Sequence, residues 1–252
     1  MCGRFALNAL PEEALRLFLL DDIEDFPPRF NIAPTQPILI VEPTEGDGHN
    51  RAKRKASLAR WGLIPSWVKD VSAFPLLTLA RAESVAEKAS FRGPLRHRRI
   101  LIPASGYYEW KKGEGKKSQP YLIRPKEGGL IAIAGLKESY LSADGSEIDT
   151  AALITTASNG NIADVHDRMP VIIMERDFDR WLNCRDFEPK QVNDLLFPDA
   201  GQLEAIPISD KVNKVSNMGP DIQDPINLKD SVEAKPTMPV KIPKPSAQMK
   251  LF

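Results

Sequence analysis

A series of short apolar, often β-branched runs does most to constrain the fold: Ile38 to Val41, Ile100 to Ile102, Tyr107 to Trp110, Tyr121 to Ile123, Leu130 to Ala134, Ala151 to Thr155 and Val171 to Met174. Each is strand-length and bounded by Pro, Gly or charged turns. Parallel strands need crossover helices between them, and no regular amphipathic helix separates these runs. A doubly wound parallel sheet is therefore excluded, and a mainly antiparallel, curved or barrel-like sheet is predicted. Helical patterns are few and short. Pro11-Glu12-Glu13 ahead of Ala14, Leu15, Phe18 and Leu19 places proline and acids in a first turn; Ala82 to Lys88, Asp177 to Leu182 and Gln191 to Leu196 are the others. The predicted class is α+β, β-dominated, with short flanking helices.

Residues 2–225 read as one domain, because beyond about Asp224 the composition turns to Lys, Pro and Ser. With Pro236, Pro239, Pro243 and Pro245 closely spaced, residues 226–252 read as an extended, flexible tail. The tail ends in Gln248-Met249-Lys250-Leu251-Phe252, whose hydrophobes serve no core and read as a docking peptide or as a segment folding back on its own domain. Thirty-four Lys+Arg offset thirty-four Asp+Glu, which excludes a polybasic, histone-like protein, so any nucleic-acid surface must be a local patch. Two cysteines and three scattered histidines predict neither a disulfide framework nor a metal site, and no cofactor is implied. Without a membrane-length apolar run or a signal pattern, the expectation is a cytoplasmic monomer with no membrane association.

The chain begins Met1-Cys2-Gly3-Arg4-Phe5, and a small second residue permits removal of the initiator methionine. Cys2 would then present an amine of pKa about 7.7 to 8 beside a thiol of about 8.5, both usable as nucleophiles near neutrality. An ester or amide would acylate the thiol; an aldehyde would form an imine that the thiol closes to a five-membered thiazolidine. The alternative is an ordinary second-position cysteine. Glu109, in Gly106-Tyr107-Tyr108-Glu109-Trp110, is a carboxylate in an aromatic strand, suited to acid/base work if buried. Alternation places it on the face of Tyr107, opposite Tyr108 and Trp110, and an exposed edge position would give it no such role. His166, in a loop between strands, can transfer protons near pH 7 or serve as a satisfied structural histidine. Asn31, in Phe30 to Gln36, reads as a turn residue that can both donate and accept. Arg51, Lys53, Arg54, Lys55 and Arg60, and then Arg92, Arg96, His97, Arg98 and Arg99, offer local positive potential around Trp61 and Trp67. Basic grooves with aromatic platforms bind single strands; for the first cluster, solvated lysines beside core tryptophans is the better reading.

In chain order, Cys2-Gly3-Arg4-Phe5, Asn31-Ile32-Ala33-Pro34, Arg60 to Pro65, Ala80-Arg81-Ala82-Glu83, Pro103 to Trp110 and His166-Asp167-Arg168-Met169-Pro170 resemble the SOS-response-associated peptidase family from residue 2 to about Pro225. The resemblance implies a single β-rich domain that senses abasic sites in single-stranded DNA. It further implies a thiazolidine crosslink through Cys2, an autoproteolytic, peptidase-like release of Met1, and a lyase activity. By position, Cys2 would be the nucleophile, Glu109 the acid/base that opens the sugar, and His166 the partner in proton transfer and reversal. Arg4, Asn31 and Arg81 would lie along the DNA and Trp67 would contact bases. Leu79 stands where the family usually has Asn, so an expected polar contact at the reacting sugar is missing. Gln248, Leu251 and Phe252 resemble a peptide that docks on the replication sliding clamp, and the expected location is the nucleoid. The competing readings are an N-terminal-nucleophile hydrolase acting on other chains and a non-catalytic nucleic-acid-binding module.

Overall fold

The computed structural model describes residues 2–44, 53–113, 118–197 and 202–228. In chain order the elements are β1 (Phe5–Leu7), α1 (Pro11–Phe18), β2 (Arg29–Ile32), β3 (Pro37–Pro43), β4 (Arg54–Trp61), β5 (Leu79–Arg81), α2 (Ala89–His97) and β6 (Arg99–Ala104). There follow β7 (Gly106–Lys112), β8 (Ser118–Pro125), β9 (Ile131–Leu141), β10 (Glu147–Ala157), β11 (Arg168–Pro170), β12 (Ile172–Ile173), α3 (Phe178–Leu182) and β13 (Leu203–Pro207). Short 3₁₀ turns fill several connections.

Two sheets result. One runs β13-β8-β7-β1-β2. In the other, β10, β4, β3, β6 and β9 pair in succession and β9 pairs back onto β10, closing a ring, while β11 and β5 extend from β10 and β12 from β9. Closure removes the sheet edges that an open arrangement would expose. The alternation of each strand divides the apolar residues between two clusters. Val41, Leu101, Ala134, Leu136, Ala152 and Ile154 pack with Phe18, Phe91, Leu95 and Trp181 of the helices. Residues on the opposite face, Ile40, Trp61, Ile102, Ile133 and Leu153, pack with Cys2, Phe5, Tyr107 and Ile123 of the other sheet. Burying each such large side chain contributes about 1.5–3 kcal/mol, and α1 is held this way by the stack of Phe18 on Phe178 at 5.3 Å between ring centres.

The predicted β-dominated class is borne out, with four local corrections. β10 runs parallel to β4 and β5, so the sheet is mixed at that point. The helix expected over 82–88 is a succession of turns, and the helix comes later, as α2, containing Gly93 and Pro94. Gly-Pro reads as a breaker, yet Pro94 is tolerated because it and Leu95 are buried. Phe30 to Ile32, read as part of a turn, belong to the strand β2, and the turn begins after it. Finally, several residues of the basic clusters are buried or ion-paired rather than free positive charge. Arg54 is buried, donating to Phe18 O and Asp179; Lys55 pairs with Glu42, Arg98 with Glu138 and Arg96 with Glu188. Arg51 and the tail peptide lie outside the described residues. Among the described residues, no helix is long and apolar enough to cross a membrane.

Candidate active site

β1 is a three-residue strand wedged between β2 and β7, with Phe5 opposite Tyr107 and Ala6 opposite Gly106. Gly106 is required there: a Cβ on it would stand 2.7 Å from the Ile123 carbonyl on β8. Glycine thus lets β7 lie tightly between its neighbours and fixes Tyr107 and Glu109, two residues apart and on one face. Cys2, Tyr107 and Glu109 are all essentially inaccessible to solvent, at 0%, 0% and 1% exposure. The exposed-edge alternative for Glu109 is therefore excluded.

His166 comes from the other sheet's side, on the loop between β10 and β11. Its backbone is pinned from three directions: its N–H donates to Ile162 O, its carbonyl accepts from the Ser158 hydroxyl, and the flanking Ser158 N–H donates to Asp167 O. The ring Nδ1 accepts the Arg168 backbone N–H at 3.0 Å and lies 2.9 Å from Asp167 Oδ1. The Asp167 side chain is largely exposed and free to turn to water, whereas the backbone donor is fixed, so we assign Nδ1 as acceptor and the proton to Nε2. Nε2 stands 3.9 Å from Glu109 Oε2. Arg168, two residues on, holds the loop to β10 by donating to the Thr155 carbonyl at 2.6 Å and pairing with both Glu83 oxygens. Its positioning role was hidden in the sequence, where only its adjacency to His166 pointed to it.

Electrostatics favours proton traffic between these groups. Burial pushes the Glu109 carboxyl up to about 7, against the pull of the positive amino terminus. Burial likewise drives the Cys2 thiol well up, with Glu109 adding to the effect, so a neutral thiol is the resting form. Desolvation and the positive amino terminus lower the pKa of His166, which keeps the imidazole neutral near pH 7. A carboxyl that both gives and takes a proton near neutrality, beside a nucleophilic side chain, suits acid/base-assisted addition.

A sequence model described as SOS response associated peptidase matches residues 1–215. The chain belongs to the SOS response associated peptidase family. It is 38% identical over 226 residues to the abasic site processing protein YoqW of Bacillus subtilis, covering 88% of this chain and 98% of that one. To the abasic site processing protein YedK of Escherichia coli it is 30% identical over 236 residues, covering 90% and 100%. A crystal structure of a protein from Bacteroides thetaiotaomicron superposes with a TM-score of 0.75 at 26% identity, covering 90% of this chain and all of that one.

Within this SOS response associated peptidase domain the expected DNA-contacting residues fall into two groups. Arg4 and Asn31 form a hub: Arg4 donates to Asn31 Oδ1 at 2.9 Å and to the carbonyls of Val212 and Asn213, with its guanidinium over Trp110. Asn31 is buried, and its amide nitrogen lies within reach of the Val212, Lys214 and Asn217 carbonyls. Much of their polar capacity thus clips residues 212–217 onto β1 and β2, a connection with no sequence signal. The second group lies around β5. Trp67 is 57% exposed, braced edge-on by Phe74, on the connection from β4 to β5. Arg81 is exposed on β5. Leu79 shares its face of β5 and is half-buried against the cluster that contains Cys2. The surface is thus apolar at that position.

Proposed function

We propose that this protein recognises abasic sites in single-stranded DNA and captures them covalently through Cys2 once Met1 has been removed. The observation that carries the reading is a buried cysteine at the second position, packed with a carboxyl held at about 7 and faced by a histidine 3.9 Å from that carboxyl. The relatives' names, abasic site processing proteins, supply the substrate class. Hydrolytic release of Met1, the peptidase-like step, creates the free amine.

The chemistry balances without a cofactor. The open form of an abasic deoxyribose carries an aldehyde. The Cys2 amine attacks its carbon, the C=O electrons pass to oxygen, and that oxygen takes a proton to give a carbinolamine. Protonated Glu109 delivers a proton to the hydroxyl, the nitrogen lone pair expels it as water, and the nitrogen proton returns to the Glu109 carboxylate, leaving a neutral imine. The Cys2 sulfur then adds to the imine carbon, the C=N electrons return to nitrogen, and the thiol proton is transferred to that nitrogen through Glu109. One aldehyde and one aminothiol give one thiazolidine and one water. Ring closure is intramolecular, and oriented intramolecular attack gains effective molarities of about 10⁵ M or more. His166, neutral with Nε2–H toward Glu109, relays protons to the carboxyl and serves the reverse opening. Arg81 contacts phosphate through its planar guanidinium and Trp67 stacks on a base, while Arg4 and Asn31 border the strand from the hub.

The test is incubation with a single-stranded oligonucleotide carrying an abasic site, followed by denaturing electrophoresis and intact-mass analysis of the chain start. A retarded band from wild type and none from Cys2→Ala is expected. A protein that retains Met1 and forms no adduct, or one that cleaves peptides without forming an adduct, would overturn the reading in favour of an unreactive binding module or a hydrolase. The Gln248, Leu251, Phe252 ending suits a sliding-clamp partner, and tethering there would raise the local concentration near exposed single strands. Equal retention on purified clamp by the full chain and by a chain ending at Ala247 would refute that part.

A further inference from the structure

β7 carries two adjacent tyrosines whose hydroxyls are treated differently by the fold. Tyr108 is fully engaged: its hydroxyl donates to the Phe30 carbonyl at 2.6 Å and accepts from the Gln223 amide at 2.7 Å. Its phenol is therefore part of the fastening between β7, β2 and residues 220–223. Tyr107 points to the other face, into the cluster that contains Cys2, and is 0% exposed. Among the described residues, no group hydrogen-bonds its hydroxyl.

A buried hydroxyl without a partner destabilises a protein by about 1–3 kcal/mol. Packing alone would be served by phenylalanine, which has the same ring and no polar atom to desolvate. The hydroxyl is also electrostatically adjacent to the reacting groups. Burial first, then the charges of Cys2 and Glu109, push the Tyr107 phenol well up, so it stays a neutral O–H donor across the working pH range.

We propose that the Tyr107 hydroxyl is a further catalytic group, a hydrogen-bond donor to the substrate oxygen at the carbon that Cys2 attacks. This rests on the crosslinking reaction proposed above. As the amine adds to the aldehyde, negative charge develops on that oxygen inside a site closed to water, and a preplaced neutral donor stabilises it there. No proton leaves the phenol: the O–H···O bond forms as the charge builds, the attacking nitrogen gives up a proton to make the hydroxyl, Glu109 supplies the second on which it leaves as water, and Tyr107 is left as it began. Donors aimed at a developing oxyanion are commonly worth about 10²–10³ in rate. Tyr107 thereby divides the work with Glu109: the phenol polarises and the carboxyl protonates.

The experiment compares wild type and Tyr107→Phe in the full chain. It measures the rate of adduct formation on an abasic single-stranded oligonucleotide at saturating DNA, non-covalent affinity for the same strand carrying a tetrahydrofuran analogue that has no aldehyde, and thermal stability. The expected result is a rate lowered at least tenfold, affinity within twofold, and a Tm equal to or above that of wild type, because the variant sheds a desolvated hydroxyl. An unchanged rate overturns the proposal, since the ring alone would then suffice. A lowered Tm also overturns it, because the hydroxyl would have a structural partner. No adduct from wild type itself would instead sink the crosslinking reading, and this inference with it, so the two failures are told apart by the wild-type lane.

Discussion

Arg99 and Glu109 are each 1% exposed, yet the fold surrounds the two buried ionisable groups in opposite ways. Arg99, at the start of β6, donates from Nε to the Trp181 carbonyl at 2.5 Å, from Nη1 to Leu95, and from Nη2 to Asn183 and Phe187, with its guanidinium stacked over Trp181. Its charge is satisfied by fixed carbonyls, and it staples α2, α3 and the following loop to the sheet. Glu109 sits among Cys2 and aromatic rings, and its surroundings favour the protonated form up to about 7. A buried charge that is fully satisfied is architecture; a carboxyl poised between its two protonation states is equipped for chemistry.

The sharpest break in that comparison is Cys2→Ala. We expect complete loss of the denaturation-resistant DNA adduct while the fold persists, because the change removes one small buried sulfur and no hydrogen-bonded hub. Electrophoresis under denaturing conditions reads the adduct and circular dichroism the fold. Adduct formation by the variant would transfer the nucleophile to another residue and end the proposed mechanism.

Glu109→Gln comes next, with a predicted fall of about 10²–10⁴ in adduct rate, the usual contribution of a positioned acid or base. It also separates the two regions by pH. Because the folded state raises the carboxyl from its ordinary 4.5 to about 7, wild-type folding prefers the protonated form. That preference is fully present below about 4.5 and is lost as pH rises through 7. Glutamine does not titrate, so the stability of the variant relative to wild type should climb by up to about 3 kcal/mol between pH 4.5 and 8. Urea melts across that range measure it, and a flat difference would show that the carboxyl is not held up by burial.

Arg99→Met is the converse case. Three carbonyls lose their donor, while that of Asn183 keeps the Phe187 N–H, and at about 1–3 kcal/mol for each group left unsatisfied, partly relieved by local rearrangement and water, the loss should be about 3–5 kcal/mol in a urea melt. The adduct rate per folded molecule should not change. If the rate fell while stability held, the division between architecture and chemistry drawn above would be wrong.

The two regions also differ in how far the sequence exposes them. The sheet was readable because β-branched runs such as Ile100 to Ile102 carry their strand signal locally, and Cys2, Glu109 and His166, which the fold brings together, stood out as candidates because reactive residue types in short motifs are local too. Arg99 was read as part of a basic patch because nothing in Arg98-Arg99 tells which arginine turns inward. The pairing depends on carbonyls of residues 181, 183 and 187, far along the chain. The same applies to Arg4 and Asn31, whose partners lie near residue 212. Tyr107 stood in plain view beside Glu109, but its role turns on a missing partner, which only the packed structure reveals.

Leu79→Asn has the smallest expected effect and probes the boundary between the two kinds of environment. Leu79 lies half-buried on the cluster that contains Cys2, on the same face of β5 as Arg81. Asparagine there surrenders some apolar burial, on the order of 1 kcal/mol of stability, and presents a donor and an acceptor on the face that carries Arg81. One added hydrogen bond to a bound sugar is worth about 0.5–1.5 kcal/mol, or about a two- to tenfold faster adduct at subsaturating DNA. Stopped reactions on the abasic oligonucleotide, paired with urea melts, read both quantities. A faster adduct with lower stability would mean that this chain trades a polar contact for packing at its rim. An unchanged rate with lower stability would make Leu79 part of the architecture alone, and would leave recognition of the sugar to the Tyr107 hydroxyl and Glu109.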